Sequence, residues 1–220
     1  MGTIKKGILG GVSGKVGNVV GGNWKGIDYL RMLPAGVTNP NTELQSTQRL
    51  KFAAVLRFLQ PMTEVIRIGF KPSAVKMSAF NAAFSYNYNN ALTGSYPAFA
   101  IDYPKALISK GNLIGALNPI CASADPAKIN VTWENNSGNG LASETDNAIV
   151  VIFNPDNNEA VYLLNAGLRS DCSLEILLPS NFSGATVHCY LTFMAMNAII
   201  SGQTRNAVAT SSYVGSVLVA

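Results

Sequence analysis

A glycine followed by a lysine is a pair that often cradles phosphate, and the chain carries one, Gly14-Lys15, inside GGVSGKVGNVVGGNWKGIDYLRMLP (Gly10 to Pro34). A phosphate loop needs a further glycine upstream and a Ser or Thr after the lysine to hold magnesium. Those positions hold Leu9 and Val16. A dinucleotide fingerprint needs an apolar strand before it and a helix after it. Gly2-Thr3-Ile4-Lys5-Lys6 and Asn18-Val19-Val20-Gly21-Gly22 supply neither. The stretch therefore implies no nucleotide and no cofactor. His188 is the only histidine. It adjoins Cys189, and neighbours on a strand point to opposite faces, which argues against a His–Cys pair. A Ser-His-Asp arrangement is spatial, but no nucleophile elbow surrounds any serine. A hydrolase using His188 as base is thus the third reading, behind two non-enzymatic ones. Cys121, Cys172 and Cys189 are odd in number and form no Cys-x-x-Cys, so neither a disulfide framework nor a zinc site is expected. They read as buried free thiols. Asp156-Asn157-Asn158-Glu159 lacks the alternation and central glycine of a calcium loop, and reads as a hairpin turn.

Charge is distributed unevenly. The net charge is +4, with only 13% charged residues. Up to Lys76, eleven bases face three acids (Asp28, Glu43 and Glu64), a balance of +8; from Met77 onward five bases face nine acids, a balance of −4. A basic front half suits nucleic acid, a membrane surface, an acidic neighbour or the acidic half of another copy, and equally a plain solvated face. The candidate phosphate contacts are Lys15, Lys25, Arg31, Arg49 and Lys51.

These residues need elements to position them. Gly21-Gly22-Asn23 reads as a hairpin turn between Lys15–Val20 and Trp24–Leu33. Apolar residues fall on both parities of the second segment, and glycines inside strands mark bulges or close backbone approach. Glu43 to Leu59 has helical spacing, with Leu50, Ala53, Ala54, Arg57 and Phe58 near one stripe, and Pro61 stops or kinks it. Ser73 is read as the cap of a helix from Ala74 to about Leu92, whose aromatic residues suit core or interface packing. Phe99–Tyr103 and Ala106–Ser109 read as strands.

Composition shifts near Asn118-Pro119, giving two expected regions, 1–117 and 118–220. No helix is expected in the second. Ile129–Trp133, Asn147–Phe153, Ala160–Leu164, Cys172–Leu178, Val187–Phe193 and Tyr213–Val219 read as strands separated by turns. Asn147–Phe153 lacks alternation, which predicts burial on both faces. Val187, Cys189, Leu191 and Phe193 share one face of their strand. The fold class expected is α+β: an N-terminal hairpin with helices, then an all-β immunoglobulin- or fibronectin-like sandwich with Trp133 in its core.

Lys5 and Lys6 could open a secretion signal, but Ile8-Leu9-Gly10-Gly11-Val12 is too short and Gly-rich to continue it. Lys6 stands where a myristoylation pattern needs Ser or Thr, and no apolar run approaches the ~18 residues of a membrane span. The expected location is the cytoplasm, or an exported or virion-like assembly reached without a cleaved signal.

GGVSGKVGNVVGGNWKGIDYLRMLP, followed by NPNTELQSTQRLKFAAVLRFLQP, resembles an uncharacterised Bacteroidota family, a domain of unknown function. The likeness extends through VTWENNSGNG and SSYVGSVLV. It implies no known activity and no site residues. The Asn39-Pro40-Asn41-Thr42 segment, with Gln45, Gln48, Arg49 and Phe52, is also similar to short stretches of phage and prophage structural proteins. The function expected is a non-enzymatic structural, assembly or adhesion protein, with a protein partner or self-association. The alternative is nucleic-acid binding through the basic front half.

Overall fold

The computed structural model describes residues 2–4, 7, 10–24, 26–36, 40–123, 127–200 and 203–220, without the side chains of 196–200 and 203–206. The chain forms two compact units, Met1–Thr42 and Glu43–Ala220.

The first unit is a four-stranded antiparallel sheet of β1 (Thr3–Ile4), β2 (Val12–Val16), β3 (Val19–Trp24) and β4 (Ile27–Met32), in that spatial order. The expected Gly21-Gly22-Asn23 turn is corrected: all three residues lie inside β3. The chain reverses instead at Gly17 (φ 58) and Gly26 (φ 91), where positive φ suits glycine. Gly21 serves close approach. A Cβ there would run into the Val12 carbonyl, and one on Gly11 would meet the Asp28 carboxylate. Backbone glycines therefore let β2 lie tightly across its neighbours, and Gly14-Lys15 sits within a strand rather than a loop before a helix.

The second unit begins with α1 (Glu43–Leu59), α2 (Thr63–Gly69) and α3 (Ala79–Asn90). α1 buries Val55, Phe58 and Leu59, an i, i+3, i+4 stripe. Leu50 and Arg57, placed on the expected stripe, are exposed. α3 starts later than expected, because Ser78 caps it by accepting a hydrogen bond from the Asn81 amide (3.1 Å). The hairpin β5 (Leu92–Ser95)–β6 (Ala98–Ile101) follows. Ala106–Ser109 is no strand. Its backbone groups are met by side chains instead: the Leu107 amide donates to Asn87 Oδ1 (2.9 Å) and the Ile108 amide to Ser211 Oγ (3.0 Å).

The remaining strands are β7 (Leu117–Ser123), β8 (Lys128–Glu134), β9 (Asn147–Asn154), β10 (Glu159–Leu168), β11 (Ser173–Leu177), β12 (Thr186–Ile200), β13 (Gln203–Val208) and β14 (Ser212–Leu218). Asn118-Pro119 falls within β7. One sheet has the order β10-β9-β12-β13, with β14 pairing the first half of β12; another has the order β11-β8-β7. All these pairings are antiparallel.

β9 and β12 separate two cores, as alternation on a doubly covered strand requires. Ile149, Val151, Phe153 and Tyr190 pack with Phe58, Val65 and Ile66 of the helices. Ala148, Val150, Ile152, Val187, Leu191 and Phe193 pack with Ile129, Val131 and Trp133 of β8 and Ile176 of β11. Burial is continuous over Ala148–Phe153, with Asn147 half-buried at the start of the expected run, and the shared face of Val187, Cys189, Leu191 and Phe193 is present.

Candidate interaction surface

In the first unit, residues opposite one another across the strands share a face. The registers Ser13–Thr3, Lys15–Val20, Val20–Arg31, Gly22–Tyr29 and Trp24–Ile27 place Lys15, Val20, Trp24, Ile27, Tyr29 and Arg31 on one face. The registers Ile4–Val12, Val16–Val19, Val19–Met32 and Gly21–Leu30 place Ile4, Val12, Val16, Val19, Leu30 and Met32 on the other. Both faces thus carry large apolar side chains, and most of them are exposed: Trp24 by 62%, Leu30 by 61% and Met32 by 76%. β4 is exposed throughout and forms an edge of the sheet.

The local sequence accounts for this geometry. Asn23 and Asp28 close the β3–β4 hairpin, with Asn23 Nδ2 donating to Asp28 Oδ1 (2.7 Å) and the Gly26 amide donating to Asn23 Oδ1 (3.0 Å). The Leu33 amide donates to the Asn18 carbonyl (2.8 Å), fastening the end of β4 to the preceding turn. Among the described residues no strand pairs with the outer side of β4, a row of backbone donors and acceptors flanked by apolar side chains on both faces.

The five candidate phosphate contacts divide. Lys15 and Arg31 flank Val20 in one row of the exposed face. Lys25 lies outside the described residues. Arg49 and Lys51 lie on α1 in the other unit, where Lys51 Nζ stands 5.3 Å from the centre of the Phe99 ring. Sequence reading missed Trp24, Ile27, Tyr29, Leu30 and Met32 as a surface. The signal was present: apolar residues on both parities of one strand mean that neither face is a simple solvent face.

His188 stacks on Tyr103 (3.7 Å between ring centres), and its Nδ1 is 2.9 Å from Tyr213 Oη. Burial lowers its pKa below the ordinary value. Its hydrogen-bonding neighbour is thus a phenol. Tyr190 Oη donates to the Tyr103 carbonyl (2.9 Å), and burial pushes the Tyr190 phenol up. A groove of about 420 Å³ beside α1 and β6 is lined by Ala53, Arg57, Phe58, Phe99, Tyr103 and Phe153 among others, with Arg57 and Tyr103 its titratable groups. Among the described residues no group of three or more His, Cys, Asp or Glu could hold a metal ion, and no helix is long and apolar enough to cross a membrane. Asp156 and Glu159 flank the β9–β10 turn, as expected, where the Asp156 amide donates to Asn154 Oδ1 (3.0 Å).

The cysteines differ from the expectation of three buried thiols. Cys189 is buried, but Cys121 and Cys172 are half-buried. Cys172 has a φ of 57° at the start of β11.

No curated protein matches the sequence. Residues 11–215, nearly the whole chain and including β2 to β4 of the glycine-rich sheet and β5 to β13 of the second unit, match one family, and the chain belongs to it: the family of unknown function DUF6266.

Proposed function

We propose that the protein is a non-enzymatic structural or assembly protein of adhesive type, and that its N-terminal sheet docks against a second copy of the chain. The observation that carries this reading is β4: an edge strand, exposed along its length, with apolar side chains on both faces. An edge of this kind is a template for pairing with another chain. Burying one large apolar side chain contributes ~1.5–3 kcal/mol, against ~1 kcal/mol net for each backbone hydrogen bond gained. The side chains of β4 therefore decide affinity and the ladder decides register.

Charge favours a second copy as occupant. Met1–Thr42 carries five bases against Asp28 alone; Glu43–Ala220 balances eleven bases with eleven acids, and nine of those acids, against five bases, lie from Met77 onward. Copies of the chain are thus complementary as well as apolar. The core shared by β8, β11, β9 and β12 around Trp133 supports reading 118–220 as an immunoglobulin- or fibronectin-like sandwich that presents loops to a partner. A virion-like or exported assembly is a setting that suits such a protein. Light scattering coupled to size-exclusion chromatography tests the proposal: oligomers are expected at micromolar concentration, and a strict monomer across that range overturns it.

One observation favours a second reading, single-stranded nucleic acid. Lys15 and Arg31 share an exposed face with Trp24 and Tyr29, and cations beside aromatic rings form a stacking platform for bases. Fluorescence anisotropy on a labelled oligonucleotide tests it. Binding that weakens steeply with salt, and that is lost in a Trp24→Ala variant, is the expected result; no retention at low salt removes this reading.

A further inference from the structure

Cys121 lies on β7 and Cys189 on β12, strands of different sheets that contribute to one core. Their approach has a structural cause. Cys189 is paired across the β12–β14 ladder with Gly215. Gly215 has no side chain, and the space above it is taken by the Cys121 sulfur, 3.4 Å from where a Cβ would stand. Residues opposite each other in an antiparallel ladder hold their Cβ positions about 4.5–5.5 Å apart. The missing side chain at 215 thus brings the Cys121 sulfur beside Cys189. Both cysteines are free, Cys189 is fully buried, and Cys121 is half-buried at the edge of the same cluster. Cys172 is held elsewhere, its Sγ 3.4 Å from the Ser170 carbonyl.

We propose that Cys121 and Cys189 are a redox pair, which a small-molecule disulfide such as oxidised glutathione converts to a bond joining the two sheets. The half-buried Cys121 thiolate attacks one sulfur of the oxidant and expels one glutathione thiolate, leaving a mixed disulfide on Cys121. The Cys189 thiol then loses its proton and attacks the Cys121 sulfur, expelling the second glutathione thiolate. Two protein thiols are oxidised, one oxidant molecule is reduced, and two protons leave with the products. The order of events follows exposure and thiolate character. Interaction with the neighbouring Cys189 holds the Cys121 pKa below the ordinary thiol value, whereas Cys121 and burial raise Cys189.

The test uses the full chain, reduced and then held in a reduced/oxidised glutathione buffer under native conditions. Non-reducing peptide mass mapping should show a Cys121–Cys189 linked peptide, with two thiols lost and Cys172 still titratable. A Cys172→Ser variant should give the same peptide. The bridge closes a loop of more than sixty residues, so the oxidised protein should melt roughly 5–10 °C higher than the reduced one, since closing long loops restricts the unfolded chain. Three titratable thiols after treatment would overturn the proposal. So would a stable mixed disulfide at Cys121, a bridge that uses Cys172, or a Cys121–Cys189 bridge that forms only in denaturant.

Discussion

The two compact units use apolar residues in opposite ways. In Glu43–Ala220 the described apolar side chains of β9 and β12 are covered on both faces, by helices on one and by β8 and β11 on the other. In Met1–Thr42, Trp24, Ile27, Leu30 and Met32 are exposed, and the described residue most fully buried is a glycine, Gly21. A two-faced core specifies a fold by itself, because slipping any strand by one residue would turn its whole apolar set the wrong way. A sheet held by hairpin turns and glycine contacts, with little buried area of its own, draws its stability from whatever covers it. On the proposed reading a second copy covers the first unit, whereas the second unit buries its own cores.

The largest expected effect lies in the second unit. Arg169 is 0% exposed and Asp146 is 1% exposed. Arg169 Nε donates to Asp146 Oδ2 (3.0 Å), Nη2 to the Ile114 carbonyl (2.9 Å), and Nη1 to the Gly115 carbonyl and to Asn136, while the guanidinium lies 3.9 Å from the centre of the Phe193 ring. The Arg169 carbonyl also accepts from Trp133 Nε1 (2.9 Å). Arg169→Ala strands the Asp146 carboxylate and should cost about 3–5 kcal/mol in urea unfolding. Replacing both residues, as Arg169→Met with Asp146→Leu, should recover much of that loss. Neither change should alter oligomer size in any variant that still folds. Loss of association in an Arg169→Ala variant that keeps its fold would place this network, rather than β4, in control of the oligomer.

The second effect lies in the first unit. Leu30→Lys places a charge in the middle of β4, and a central apolar contact in an interface is worth about 2 kcal/mol or more. Dissociation should strengthen by roughly thirtyfold or more in analytical ultracentrifugation, with the main thermal transition unchanged. The same substitution at a covered position, Val151→Lys, should prevent folding. This pairing contrasts the two uses of apolar residues directly.

How legible each unit was in the sequence follows from the same contrast. Glu43–Leu59, Ile129–Trp133, Asn147–Phe153 and Val187–Phe193 were readable, because their periodicity records which faces are covered. Gly21-Gly22-Asn23 was misread because a glycine that relieves contact and a glycine that turns the chain look alike. The first is set by the Val12 carbonyl, a neighbour in space. Ala106–Ser109 looked like a strand because its residues are apolar, yet Asn87 and Ser211 side chains satisfy it from far along the chain. Of the candidate site, Lys15 and Arg31 were named in advance, but their common row needed the β2–β3–β4 register. The pairing of Cys121 with Cys189 passes through Gly215, which no spacing rule encodes.

A smaller effect checks helix α3, whose start was misplaced by several residues. Ser78→Ala removes the side-chain acceptor for the Asn81 amide, and should cost about 1 kcal/mol. Ser73→Ala, at the cap expected from the sequence, should cost less than half of that, since Ser73 Oγ donates to the Lys110 carbonyl at 3.3 Å and caps no helix.

The smallest effect separates the units by pH. The chain has one histidine, His188, and it belongs to the second unit. Burial between Tyr103 and Tyr213 lowers its pKa below the ordinary 6.5. Below about pH 6.5 the unfolded chain therefore takes up a proton at this position before the folded chain does. Stability is undiminished above that pH, declines as the pH falls toward the folded pKa, and has no further His188 slope beneath it. His188→Gln keeps a polar group near Tyr213 but cannot titrate, so the difference in unfolding free energy between it and the parent should shift across this window and be flat at pH 7–8. β4 itself contains no histidine, so if the apolar side chains of β4 carry the association, His188→Gln should leave its pH profile unchanged. A substitution that moves the oligomer equilibrium with the same pH dependence would place His188 within the docking surface and erase the distinction between the two units.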